Sequence, residues 1–147
     1  MPHRLKLQKA LPPEGLFLFP LGQAHVENAT DIPQTEDLFD LVQTEHASLF
    51  DSLGQPWEVL PRLTDYLRDN LHPQQHGQAH GQAVIEGDVF IGEGTVVEPG
   101  ALIRGPVWIG RNCRIGHGAT LRANVIVGDH CVLGHAAELK NSFLFNG

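Results

Sequence analysis

The sequence predicts a mainly β protein, a parallel β-helix of six-residue repeats with a small N-terminal helical cap region. Three observations carry this. Counting in sixes from Ile85, the positions Ile91, Val97, Ile103, Ile109, Ile115, Leu121, Val127, Leu133, Leu139 and Phe145 share one phase, eleven apolar residues in all without an insertion. Four residues after each come Val89, Thr95, Ala101, Val107, Cys113, Ala119, Val125, Cys131, Ala137 and Phe143, small in all but the last. Gly then follows the phase residue at 92, 110, 116, 128 and 134. A fixed short period of this kind lets each unit bury its apolar residue only by stacking on its neighbours.

Composition agrees. Sixteen Gly, ten Pro and 7% aromatic residues in 147 suit a solenoid of tight turns better than a helix bundle. The net charge of −7 argues against nonspecific nucleic-acid binding, which needs a basic surface. Residues 27–69 hold ten Asp or Glu and two Arg, while Arg4, Lys6 and Lys9 are too few for a basic arm. No window approaches the roughly 18 apolar residues of a membrane span and no signal-peptide core is visible, so a soluble cytoplasmic protein is expected. Cys113 and Cys131 share a column of the repeat with parallel inward side chains, which predicts buried, reduced thiols rather than a disulfide.

In chain order, residues 1–71 read as an N-terminal extension. Residues 1–14 look like a loose lead-in, and Leu16-Phe17-Leu18-Phe19 is a short strand candidate stopped by Pro20. Thr35 is placed to cap a helix with Glu36 and Asp37 in its first turn, carrying a stripe of Leu38, Leu41, Val42, Leu49, Phe50 and Leu53 and ending at Gly54. A second helix begins near Pro56 with Trp57, Leu60, Leu63, Leu67 and Leu71, and Pro61 must break or kink its first turns. This pair is expected to cover the open N-terminal end of the solenoid. Residues 72–84 read as a His- and Gln-rich linker. His72, His76 and His80 are four apart, a metal-ligand spacing on a helix, but Pro73, Gly77 and Gly81 oppose that helix. Residues 85–147 are the β-helix.

Three hexads make one triangular coil, so residues eighteen apart stack. In one column the phase residues are followed by Glu86, Arg104, Arg122 and Lys140, placing three cations on successive rungs. Two readings stand side by side: a solvated charge ladder relieved by Glu86, or an anion site in which Arg supplies a fork and Lys a point charge to a phosphate. His117 and His135 also stack, with His130 nearby.

Around Leu121-Arg122 and Leu133-Gly134-His135-Ala136-Ala137-Glu138-Leu139-Lys140-Asn141-Ser142 the chain resembles the acetyltransferase half of the bifunctional enzyme that makes UDP-N-acetylglucosamine, and its shorter sugar-phosphate acyltransferase relatives. The resemblance implies a left-handed β-helix, a homotrimer, and acetyl-CoA and sugar phosphate bound between subunits. The family pattern sets an Arg eleven residues before a branched-aliphatic–Gly pair, then Glu-x-Lys four residues after that Gly. Arg122, Glu138 and Lys140 match it. Arg122 and Lys140 are thereby expected to hold the sugar phosphate and Glu138 to position the amino sugar, with Arg104 added by stacking alone. The Trp57-Glu58-Val59-Leu60 segment is also similar to the N-terminal region of the shorter relatives.

Two departures shape the expectation. The Gly-rich nucleotide-binding signature is absent, so uridylyl transfer is not implied. The family's catalytic His falls a few residues past Lys140's coil, and its acetyl-CoA site in later coils. The chain is therefore read as truncated at its C-terminus, without catalytic residues of its own, and inactive alone. The expected function is an acyl-CoA-dependent transferase acting on an amino-sugar phosphate, with no metal. One alternative is a non-catalytic oligomerisation or binding module. Another is a metalloenzyme like the γ-class carbonic anhydrases, which His130 and His135 resemble in spacing but whose third ligand position here is Gly94.

Overall fold

The computed structural model of the chain describes residues 32–147, so the lead-in and the strand candidate at 16–19 lie outside the described residues. Within them, eleven short strands alternate with corners: β1 (Gln74–Gln75), β2 (Gln78–Ala79), β3 (Val84–Glu86), β4 (Val89–Ile91), β5 (Val96–Val97), β6 (Leu102–Arg104), β7 (Val107–Ile109), β8 (Arg114–Ile115), β9 (Thr120–Val127), β10 (Val132–Leu133) and β11 (Glu138–Leu144). Every pairing is parallel, between strands one coil apart. The result is a β-solenoid with three faces. The first stacks β3, β6 and the leading halves of β9 and β11. The second stacks β1, β4, β7 and the trailing halves of β9 and β11. The third stacks β2, β5, β8 and β10. Strand β9 serves two faces because Ala123 and Asn124, both at positive φ, turn the chain through the corner inside it.

The phase residues form the interior. Ile103, Ile109, Ile115, Leu121 and Val127 are completely buried, as are Ala101, Ala119 and Val125 of the companion column. A buried aliphatic side chain of this size contributes roughly 1.5–3 kcal/mol. Thr95 is the polar exception among them. Its hydroxyl donates to the Gly110 carbonyl at 2.7 Å and accepts from the Cys113 N–H at 2.9 Å, so no polar atom there goes unpaired. Cys113 and Cys131 are buried free thiols, as the column predicts, and burial pushes both above the ordinary thiol range.

The six-residue phase fails at two places. Residues 74–79, read as linker, instead form the first strands of the solenoid, pairing with β4 and β5. Gln75 sits opposite Ile91 and Ala79 opposite Val97, so this rung has little apolar signal to betray it. At the other end, the register slips between Lys140 and Ser142. One residue, Asn141 at positive φ, makes a corner that takes two in the coil before. Leu144 therefore lies opposite Val127 and packs on the solenoid core, while Phe145, expected there, joins a second cluster.

The helical region also departs from expectation. Helix α1 is only Thr35–Leu38, its cap is Gln34 rather than Thr35, and the Thr35 hydroxyl donates instead to the Gly54 carbonyl at 3.1 Å. Phe39 is extended, and the chain continues as 3₁₀ turns at Leu41–Gln43 and Ala47–Phe50. The expected continuous stripe is thus broken: Leu38 and Val42 are exposed, while Leu49 and Phe50 are buried. Pro56–Arg62 is 3₁₀ and contains Pro61, and α2 (Leu63–Asn70) begins immediately after it, consistent with a proline that cannot accept a full α-turn before it.

This flap does not cover the solenoid's end. It docks on the second face. Leu49, Phe50, Val59, Leu63, Leu67 and Leu71 pack with Ile126 and against Phe90, Trp108, Phe143 and Phe145. The reason lies in the outward positions of that face, where Phe90 and Trp108 stack at 4.2 Å in register and Ile126 and Phe143 continue the column. A sheet face of large apolar side chains needs a cover, and the flap supplies it. No described helix is long and apolar enough to cross a membrane.

Candidate functional site

The cation column stands on the first face, beside the corner that leads to the second. Glu86 pairs in register with Arg104, Arg104 with Arg122, and Arg122 with Lys140. Alternation in a strand turns the preceding residue inward, so Ile85, Ile103, Leu121 and Leu139 anchor the core while the next residue points out. The stacking read from the sequence is therefore what the fold builds.

Each Arg is held by a carboxylate. Arg104 Nε donates to Glu86 Oε2 at 2.8 Å. Arg122 donates from Nε at 2.9 Å and Nη2 at 2.6 Å, both to Oε1 of Glu138, the first residue of β11 and the next outward residue before Lys140. All four side chains are about half exposed, and pairs of this kind contribute roughly 0.2–1 kcal/mol. Such contacts exchange readily for a ligand. Lys140 has no ion pair or side-chain hydrogen bond among the described residues. Just beyond it, Asn124 Nδ2 donates to Asn141 Oδ1 at 3.1 Å, tying together the corners of the last two coils. The four residues expected to bind sugar phosphate, Arg104, Arg122, Glu138 and Lys140, are thus brought together on one edge.

The histidines lie elsewhere. His117 and His135 stack at 5.3 Å and 10° on a different corner, and the His117 N–H donates to Glu98. His76 Nε2 lies 2.8 Å from Gln74 Oε1, and His80 Nδ1 accepts from the Gln82 N–H. The run from His72 to His80 is strand and corner, so no helix aligns it. Among the described residues no three His, Cys, Asp or Glu side chains gather as a metal-binding group.

A second polar place escaped the sequence reading. His46, 3% exposed, sits between the flap and the second face, its Nδ1 3.0 Å from the Tyr66 hydroxyl and its ring edge-on to Trp108. Burial lowers its pKa to about 4, against an opposing pull from Asp129. Beside it a cleft of about 270 Å³ is lined by residues 42–46 of the flap and by Arg111, Gly128, Asp129 and Asn146. Nothing in the repeat announces His46, because it lies in a 3₁₀-flanked loop without periodicity.

A family profile described as bacterial transferase hexapeptide (six repeats) matches residues 88–123 and again 106–141. The coils over residues 88–141 are thus hexapeptide repeats similar to those the profile describes. The two matches overlap and run from the second coil to Asn141, so they span Arg104, Arg122, Glu138 and Lys140. No curated protein matches the chain.

Proposed function

We propose that the chain is the sugar-phosphate-holding part of an acyl-CoA-dependent transferase, with acetyl-CoA as co-substrate and an amino-sugar phosphate as acceptor. The observation that supports this is the alignment of Arg122, Glu138 and Lys140 on adjacent rungs of a transferase-type hexapeptide solenoid. In the reaction the acceptor's amine attacks the thioester carbonyl. A C–N bond forms, the C–S bond breaks, CoA leaves as the thiol, and the amine's proton passes to a base. Arg122 and Lys140 hold the phosphate through charged hydrogen bonds, and Glu138 faces the amino group. Holding the acceptor still is itself a large part of catalysis, since it fixes the amine's approach to the carbonyl.

Titration with glucosamine-1-phosphate tests the reading. Arg122→Ala and Lys140→Ala are each expected to weaken binding by about tenfold or more, the loss of one charged hydrogen-bonding partner. Arg68→Ala, on the exposed face of α2 between Asp65 and Asp69, is expected to change nothing. Equal effects at all three positions would remove the site.

A second reading has its own support. Because Arg104 and Arg122 are both ion-paired, the column also has the form of a charge ladder serving only a binding or oligomerisation module. Absence of sugar-phosphate binding in a folded, assembled protein selects it.

A further inference from the structure

We propose that the cation column holds two phosphoryl groups at once, on neighbouring rungs, and that its ligand is a diphosphate or a diphosphate ester. This rests on the reading of the column as a phosphate site, and adds Arg104 as the residue that sets how many phosphoryl groups it takes.

The argument begins with the donors each pair leaves over. Arg104 gives only Nε to Glu86, so both of its terminal nitrogens have no side-chain partner among the described residues. Arg122 gives Nε and Nη2 to one oxygen of Glu138, leaving Nη1. Lys140 leaves its whole ammonium. Unspent donors therefore occur on three consecutive rungs, with Arg122 in register with Arg104 on one side and Lys140 on the other.

Rungs repeat at about 4.8 Å, so the column from Arg104 to Lys140 extends over two such steps. A single phosphoryl group satisfies Arg122 and Lys140 together but leaves Arg104 facing a like charge. Two phosphoryl groups joined through one oxygen sit side by side, and their terminal oxygens reach adjacent rungs. Arg122 and Lys140 then hold one group and Arg104 the other. The carboxylates relieve the repulsion only locally, Glu86 at Arg104 and Glu138 at Arg122, whereas an anion lying along the column relieves it at every rung. Glu86 is the competitor for Arg104, and because that pair is about half exposed it gives way easily.

The experiment is calorimetric titration with orthophosphate and with pyrophosphate at one fixed ionic strength, since screening would otherwise blur the comparison. Arg104→Ala is expected to weaken pyrophosphate by about tenfold and orthophosphate by less than about twofold. Glu86→Gln, which frees Arg104, is expected to strengthen pyrophosphate by about twofold to fivefold, the worth of an exposed pair. Arg68→Ala removes the same charge from the exposed face of α2 and is expected to affect neither ion. If Arg104→Ala weakens both ions alike, or neither, while Arg122→Ala weakens both, the two-phosphate site falls and the phosphate column survives. If Arg122→Ala is also silent, the column itself is no phosphate site. Thermal unfolding establishes that each variant is folded. Should Arg104→Ala fail to fold, Glu86→Gln decides alone, and no gain for pyrophosphate overturns the proposal.

Discussion

At the scale of the residue, His46 ties the flap to the solenoid, and it does so as a neutral group. Its ring meets Tyr66, Trp108 and Phe143 edge to face at centroid distances of 5.7, 4.9 and 6.1 Å. Nε2 of His46 and Nε1 of Trp108 lack conventional hydrogen-bond partners, but edge-to-face rings are the arrangement in which an N–H points at a π face. Charging this imidazole means charging it out of reach of water, which is why its pKa falls from 6.5 to about 4. The consequence for stability has a definite sign. Above the unfolded-state value both states are neutral and nothing is lost. As pH falls from about 6.5 towards 4, the unfolded chain takes up a proton that the folded one refuses, so stability declines through that window. The displacement corresponds to a loss on the order of 3 kcal/mol. Urea unfolding followed from pH 7.5 to 4 is expected to show this loss, and His46→Gln is expected to flatten it while lowering stability at neutral pH through lost packing. Parallel pH profiles for the two proteins would show that His46 does not drive the acid sensitivity.

At the scale of the element, the corners decide what the repeat tolerates. A Cβ built on Gly92 meets the Gly110 carbonyl carbon and oxygen of the next rung at 2.6 Å, whereas one on Gly134 meets nothing within 4 Å. Gly92→Ala is therefore expected to destabilise by about 1–3 kcal/mol, the usual cost of overpacking, and Gly134→Ala to be nearly neutral. Matched denaturant melts compare them, and equal losses would mean that the corner gives way freely. The same corners explain what could be read from the sequence. The interior from Ile85 to Leu139 was legible because each phase residue is apolar and each corner has constant length. Where a corner shortens, the count fails: only His76 and Gly77 separate β1 from β2, against four residues between β4 and β5, and Asn141 alone joins the two halves of β11. The column of Glu86, Arg104, Arg122 and Lys140 was equally legible, because stacking follows from period alone. The ion pair between Arg122 and Glu138 was not, since it runs diagonally between rungs, from Arg122, which faces Lys140, to Glu138, which faces Thr120. The flap's docking face had a signal that went unused. Phe90, Trp108 and Ile126 fill three successive outward positions, and so much apolar surface on one face calls for a cover.

At the scale of the whole molecule, the three faces differ in what they leave to solvent. The flap occupies the second. The first exposes Val84, and the third exposes Val96 and Val132, the last at 71%. On the third face these two valines stand in register on either side of Arg114, whose guanidinium is folded onto Glu98, so the cation there is already neutralised for contact with an apolar partner. We propose that the chain associates as a homotrimer through its first and third faces. Cyclic symmetry fits a heterologous contact of this kind, in which one copy's third face meets the next copy's first face and the ring closes after three. Burying apolar side chains at such a contact stabilises it by roughly 25 cal/mol per Å² before the cost of association, and a carboxylate placed among them reverses the sign. Multi-angle light scattering at micromolar concentration is accordingly expected to give three times the 16.1 kDa chain mass for the unaltered protein. Val132→Asp is expected to shift that mass towards one chain without lowering the unfolding midpoint of the monomer, because the side chain it replaces contributes little to the core. A monomer in both cases would sink the trimer. A trimer unaffected by Val132→Asp would instead move the contact off the third face.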